Sequence, residues 1–279
     1  MRRSGTSLTA NLLVNMGFYF ENDARQPDRN NPRGYWESRR ILDLNSGLLF
    51  ELGGNQEHLP APRPKWEESD SLEPKRLKVR ALLDEYKKYD RWGMKDTRFA
   101  ITLPFWIPLL GPDTSIILCM RNPLATVRSW SKMDRINRDS PAAFETWYAT
   151  TASSIRNTTR MKRLLVHYED YLAAPEITVA RICAFLGSEN NPSLLSTFSS
   201  ELVHQQPSTA EFLNNPRASE KTKLLYLSLQ GVGIDDSKLT EVDHALSNFQ
   251  PGLPPLGFRL KHNLIRTARR TRALFRTGT

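Results

Sequence analysis

The chain has 279 residues, 39% hydrophobic and 25% charged, with a formal net charge of +9. These are ordinary values for a folded protein, and they exclude a disordered chain, a collagen-like repeat and a disulfide-stapled miniprotein. The sequence holds no run of about 18 apolar residues, so no segment reads as a membrane-spanning helix.

The charge is unevenly placed. Residues 259–279 hold seven of the 39 Lys and Arg residues and none of the 30 acids, leaving 32 cations against 30 acids in the other 258 residues. The pI of 9.7 therefore describes the tail more than the body, which argues against nucleic acid as the partner. Residues 1–258 read as one domain and 259–279 as a basic amphipathic tail, suited at most to weak contact with a membrane surface.

Met1-Arg2-Arg3 followed by an apolar stretch resembles a signal peptide, but Asn11 and Asn15 interrupt it and no small-residue cleavage site follows. The spacing of Leu8, Leu12, Leu13 and Met16 predicts a helix with one buried face, ended by Gly17. Before it stands Arg3-Ser4-Gly5-Thr6-Ser7. Small residues at a helix start can point several N–H groups and hydroxyls at one anion, but Ser and Thr also cap helices that bind nothing. Both readings stand. No GxxxxGK[ST] loop occurs in the chain.

Residues 21–36 read as a loop, Ser38–Leu52 as a helix, 53–71 as a proline-rich loop and 72–89 as an amphipathic helix. Trp92–Lys95 is a short strand candidate. Ser115–Met120 is a continuous apolar run of the kind buried on both faces of a parallel sheet. Pro123 starts a helix, 140–160 form another, Leu164–His167 is a strand, and Pro175–Leu186 is a helix ended by Gly187. Cys119 and Cys183 lie in apolar runs and read as buried, reduced residues, as in a cytoplasmic protein. The alternation predicts an α/β fold with a parallel sheet flanked by helices, whose ligands sit beyond the strand ends. Three loops carrying Arg3, Lys95 with Arg98, and Arg121 converge there. They suit a polyanionic ligand, or are simply solvated strand-end charges.

These segments resemble the sulfotransferases that use 3′-phosphoadenosine 5′-phosphosulfate (PAPS), over roughly residues 1–190. Arg3-Ser4-Gly5-Thr6-Ser7 is similar to that family's 5′-phosphosulfate loop. Arg121-Asn122-Pro123 with Ser129 resembles its 3′-phosphate motif, and Trp92-Gly93-Met94-Lys95-Asp96 the segment between, with Thr97 where the family has Pro. His167-Tyr168-Glu169-Asp170-Tyr171 and Phe185-Leu186-Gly187 resemble a later block. Residues 31–37 (NPRGYWE) look most like the bacterial branch acting on carbohydrate or lipid-linked acceptors. The family's apolar strand before the 5′ loop has no counterpart ahead of Arg3, so a P-loop-like architecture lacking that strand is expected.

The resemblance implies a sulfuryl transfer from PAPS to a hydroxyl or amine, with no metal. Ser4, Gly5, Thr6 and Ser7 would hold the phosphosulfate, and Arg121 and Ser129 the 3′-phosphate. Lys95 would stabilise the leaving oxygen, with Arg3 as a second cation. Glu37 is the first choice of general base, although it could equally serve the start of the following helix. Asp96 is the alternative base, His58 lacks the surrounding motif of a histidine base, and Glu169 is expected to pair structurally. The rival implication is a truncated or degenerate member that binds nucleotide without catalysis. Beyond residue 190 only Gly257-Phe258-Arg259 stands out, without an assigned role.

Overall fold

The computed structural model describes residues 2–28, 31, 34–134, 139–198, 206–230 and 237–246. The tail at 259–279 and Gly257-Phe258-Arg259 lie outside these residues. The first helix, α1 (Thr6–Asn15), begins after Gly5 in a left-handed conformation (φ 89°), and Gly17 ends it at φ 87°. Its buried face is Thr9, Ala10 and Leu12, while Leu8, Leu13 and Met16 pack at the margin.

In α2 (Arg39–Glu51) the cap is Ser38, whose hydroxyl accepts from Ile41 N. The capping role open to Glu37 in the sequence thus falls to its neighbour. Helix α3 (Glu73–Tyr86) opens with Pro74, whose missing N–H costs nothing in a first turn. Helix α4 (Phe99–Trp106) is apolar on most sides and encloses Pro104. Helices α2, α3 and α4 close one core around Leu48, Val79, Tyr86 and Trp106.

Strand β1 (Ser115–Met120) pairs in parallel with β2 (Lys162–His167), with Ser115 opposite Lys162 and Met120 opposite His167. Between them run α5 (Pro123–Asp134) and α6 (Pro141–Asn157). Asn122 caps α5, its Oδ1 accepting from Leu124 N at 2.9 Å and Ala125 N at 3.2 Å. A second core joins Leu118 and Leu165 to Trp130, Phe144 and Trp147. After β2 come α7 (Tyr168–Ala173) and α8 (Pro175–Leu186), which with α1 enclose a third core around Leu12, Val166 and Ile182. Full burial of one such side chain contributes about 1.5–3 kcal/mol. Helices α9 (Thr209–Leu213), α10 (Glu220–Ser228) and α11 (Ser237–Ala245) complete the second core through Phe212, Tyr226 and Val242.

The architecture is α/β, rich in helix, with a parallel sheet of two strands among the described residues. The strand expected at Trp92–Lys95 reduces to a single parallel bridge between Tyr19 and Trp92. A ladder needs a partner within hydrogen-bonding distance. Past Gly93 the segment instead borders a cleft of about 630 Å³, whose other wall is β1 and whose end is α1. The same cleft leaves Ile116, Ile117 and Cys119 half-buried, where the sequence predicted burial on both faces. Cys183 is buried as expected. No helix among the described residues is long and apolar enough to cross a membrane.

Candidate functional site

The three cation-bearing loops meet. A cleft of about 1000 Å³ opens where the Arg3–Ser7 loop, the Lys95–Arg98 segment and the start of α5 come together. Among the described residues, nine lysines and arginines line it against two carboxylates, Glu37 and Asp139. Such an excess of one sign focuses a field that attracts an anion.

Gly5, Thr6 and Ser7 line the cleft, whereas Ser4 is buried beneath the loop. The first N–H groups of α1 have no acceptor within the helix and face this end. Gly5 has two reasons to lack a side chain. Its φ of 89° is left-handed, and an added Cβ would lie 2.9 Å from a ring carbon of Tyr168. Arg3 is also left-handed, at φ 66°. This brings its Nε to Ser129 Oγ at 2.9 Å.

Arg121 lies beside them. Its Nη2 donates to Gln206 Oε1 at 2.8 Å, its Nη1 donates to the Arg3 carbonyl at 3.3 Å, and its guanidinium lies 4.2 Å from the centre of the Tyr168 ring. Burial pushes both the Arg3 and the Arg121 guanidinium below the ordinary arginine range. Each is therefore a cation short of water; Ser129 Oγ accepts from Arg3, and Gln206 Oε1 and the Arg3 carbonyl, both neutral, accept from Arg121. A phosphate would supply the bidentate, charge-assisted partner that these groups favour.

At the other end Lys95 is held on three sides. Its Nζ donates to Glu37 Oε1 at 2.8 Å, to the Tyr35 carbonyl at 2.8 Å and to Ser7 Oγ at 3.2 Å. The Lys95 and Glu37 side chains are only 10% and 16% exposed, so the pair is well shielded. Tyr35 donates its hydroxyl to Asp28, at 2.9 Å from each oxygen; burial, then this bond, push its phenol up to about 12. It therefore stays protonated at neutral pH.

Asp96 does not reach the cleft. It is 6% exposed and accepts from Asn45 Nδ2 at 3.0 Å and from Arg98 N and Nη1 at 2.9 and 2.8 Å. Burial holds its carboxyl above the ordinary range despite Arg98. The same Asn45 accepts from Thr102 and Trp106, so Asp96 belongs to a buried network that anchors α4 and presents Arg98 to the cleft. Glu169 is likewise structural, accepting from Asn122 N at 2.9 Å. His58 is not in the cleft wall.

Sequence reasoning placed Arg98 on one of the converging loops and passed over Tyr35 and Gln206 as cleft residues. Tyr35 lies within the 31–37 segment and could have been found from it; Gln206 carries no local signal. No group of three or more His, Cys, Asp or Glu is arranged for a metal ion among the described residues.

A family model described as "Sulfotransferase family" matches residues 1–192, which includes every loop that builds this cleft except the Gln206 segment. No curated protein and no solved structure gives a match. The order of the loops, the cation-lined cleft they build and the match over more than half of the chain lead to one assignment: this protein belongs to the sulfotransferase family.

Proposed function

We propose that the protein transfers a sulfuryl group from PAPS to a hydroxyl, or an amine, of a carbohydrate, lipid-linked or small-molecule acceptor. The observation that carries this reading is Lys95, held within 3.2 Å of Ser7 on the 5′ loop and 2.8 Å of Glu37. A cation and a carboxylate at one point match the two demands of the reaction, charge stabilisation on the leaving oxygen and proton removal from the acceptor.

The cleft, of about 1000 Å³ and lined by cations from all three loops, suits a donor with anions at both ends. The loop N–H groups, Thr6 and Ser7 take the phosphosulfate in a P-loop-like manner, while Arg121, Ser129 and Arg3 take the 3′-phosphate. Glu37 accepts the acceptor's proton as its oxygen attacks sulfur. The bond from sulfur to the phosphate oxygen breaks, and Lys95 meets the charge left on that oxygen. The products are a sulfate ester, adenosine 3′,5′-bisphosphate and a proton held on Glu37. Before the donor arrives, Glu37 and the Tyr35 carbonyl satisfy the Lys95 ammonium, so the lysine is positioned in advance. Dependence on cytoplasmic PAPS fits two cysteines without a disulfide.

The test is release of adenosine 3′,5′-bisphosphate from PAPS, with octyl β-D-glucoside as hydroxyl acceptor and water as the minimal one. Turnover that is lost in Lys95→Ala supports transfer. Tight bisphosphate binding without any turnover would favour a nucleotide-binding member that does no chemistry.

A further inference from the structure

Trp36 sits between Tyr35 and Glu37, two of the residues that hold Lys95, and it does so at a cost. Its φ of 55° is left-handed, a region bulky side chains avoid. Its buried indole Nε1 finds no acceptor among the described residues. In an extended segment the Tyr35 carbonyl and the Glu37 side chain would not converge, because a strand's carbonyls point sideways in the hydrogen-bonding plane while its side chains stand perpendicular to it. The left-handed turn at Trp36 folds the chain so that both reach one ammonium, each at 2.8 Å.

The preceding loop runs alongside as a splint. Glu21 accepts from the Ser38 hydroxyl, Asp23 Oδ1 accepts from Arg39 N at 2.7 Å, and Ala24 N donates to the Glu37 carbonyl at 3.0 Å. Asn22 makes the contact to the strained residue itself, its Oδ1 accepting from Trp36 N at 2.8 Å. The other three contacts fix the chain after the turn and leave its sense open.

We infer that Asn22 is a positioning residue for sulfuryl transfer: its side-chain oxygen locks the left-handed turn at Trp36 that aims the Tyr35 carbonyl and the Glu37 carboxylate together at Lys95. The inference rests on the reading of Lys95 and Glu37 as the groups that meet the reacting atoms.

The experiment measures turnover of PAPS, with octyl β-D-glucoside or water as acceptor, beside calorimetric binding of adenosine 3′,5′-bisphosphate. Asn22→Ala should lower kcat by roughly 10- to 100-fold, the scale of a small misplacement of reacting groups, with bisphosphate affinity within about 3-fold of wild type. Asn22→Asp keeps the acceptor atom and should recover most of kcat. Adding Trp36→Gly to Asn22→Ala should also recover it, because glycine adopts positive φ freely. Wild-type kcat in Asn22→Ala, alongside an inactive Glu37→Gln, would overturn the inference and leave the base assignment intact. Wild-type turnover in Glu37→Gln would instead overturn the base assignment. Failure of both rescues, or of the Asn22→Ala/Trp36→Gly double variant to fold, would make Asn22 merely structural and overturn the inference.

Discussion

Arg3 Nε donates to Ser129 Oγ at 2.9 Å, joining residues 126 positions apart. The first belongs to the loop before α1 and the second lies two turns into α5. Because Arg121 also donates to the Arg3 carbonyl, the loop before α1 and the start of α5 share one polar seam. A ligand that displaces Arg3 from Ser129 at one end therefore acts on the backbone of the loop at the other.

Arg121→Ala should erase most of the preference for adenosine 3′,5′-bisphosphate over adenosine 5′-monophosphate. Losing a charged hydrogen-bonding partner costs roughly 1.5–3 kcal/mol, about 10- to 100-fold in affinity. Calorimetry with both nucleotides checks this; an unchanged ratio would move the 3′-phosphate elsewhere.

Lys95→Ala should reduce turnover by on the order of 10²–10³ while weakening bisphosphate binding far less. Its contact with the leaving oxygen strengthens as that oxygen becomes charged, so the loss belongs mainly to kcat. A loss confined to KM would make Lys95 a binding residue.

Glu37→Gln should keep the fold and bisphosphate affinity and lower transfer to a hydroxyl by ~10²–10⁴. Gln retains an oxygen for Lys95 at similar distance but cannot take the proton. Activity at the wild-type level would show that the acceptor needs no side-chain base from this position.

Gly5→Ala should cost about 1–2 kcal/mol from the left-handed backbone alone. The new methyl would also displace the Tyr168 ring on which Arg121 rests. A lower Tm together with weaker bisphosphate binding is expected; a loss of one without the other would separate loop strain from the Tyr168–Arg121 contact.

Asp96 gives a pH dependence whose sign follows from its raised value. A carboxyl that keeps its proton to higher pH when folded stabilises the fold fully below its unfolded value, and loses that contribution as pH rises through the folded one. Asp96→Asn removes the titration. The urea midpoint of the wild type should therefore gain on that of Asp96→Asn as pH falls from 7 to 4, and parallel midpoints would contradict the assignment.

Both ends of β1 were readable from its unbroken apolar run, and α8 from Pro175 and Gly187. Helix α4 was not, because a short segment apolar on most sides has no 3.6-residue rhythm to detect, and Pro104 argues locally against it. At the site, local motifs located Arg3, Lys95 and Arg121. They could not tell that Glu37 meets Lys95 or that Asp96 turns inward to Asn45, since both depend on packing between distant segments. Trp36 was illegible for a different reason: nothing in a tryptophan's chemistry announces a positive φ.

Among the described residues β1 pairs with β2 alone, and its other edge, beside the 630 Å³ cleft, bears on how this protein behaves in a tube. An unpaired strand edge is a template for any other extended chain, including a second molecule of the same kind. Ile116 and Ile117 beside it are only half-buried, so pairing there would bury apolar surface as well as satisfy the ladder. Concentrated samples should therefore lose monomer faster than dilute ones during warming or refolding. A binder that occupies the edge should raise the melting temperature by mass action. Solubility and thermal stability are thus coupled through one six-residue strand.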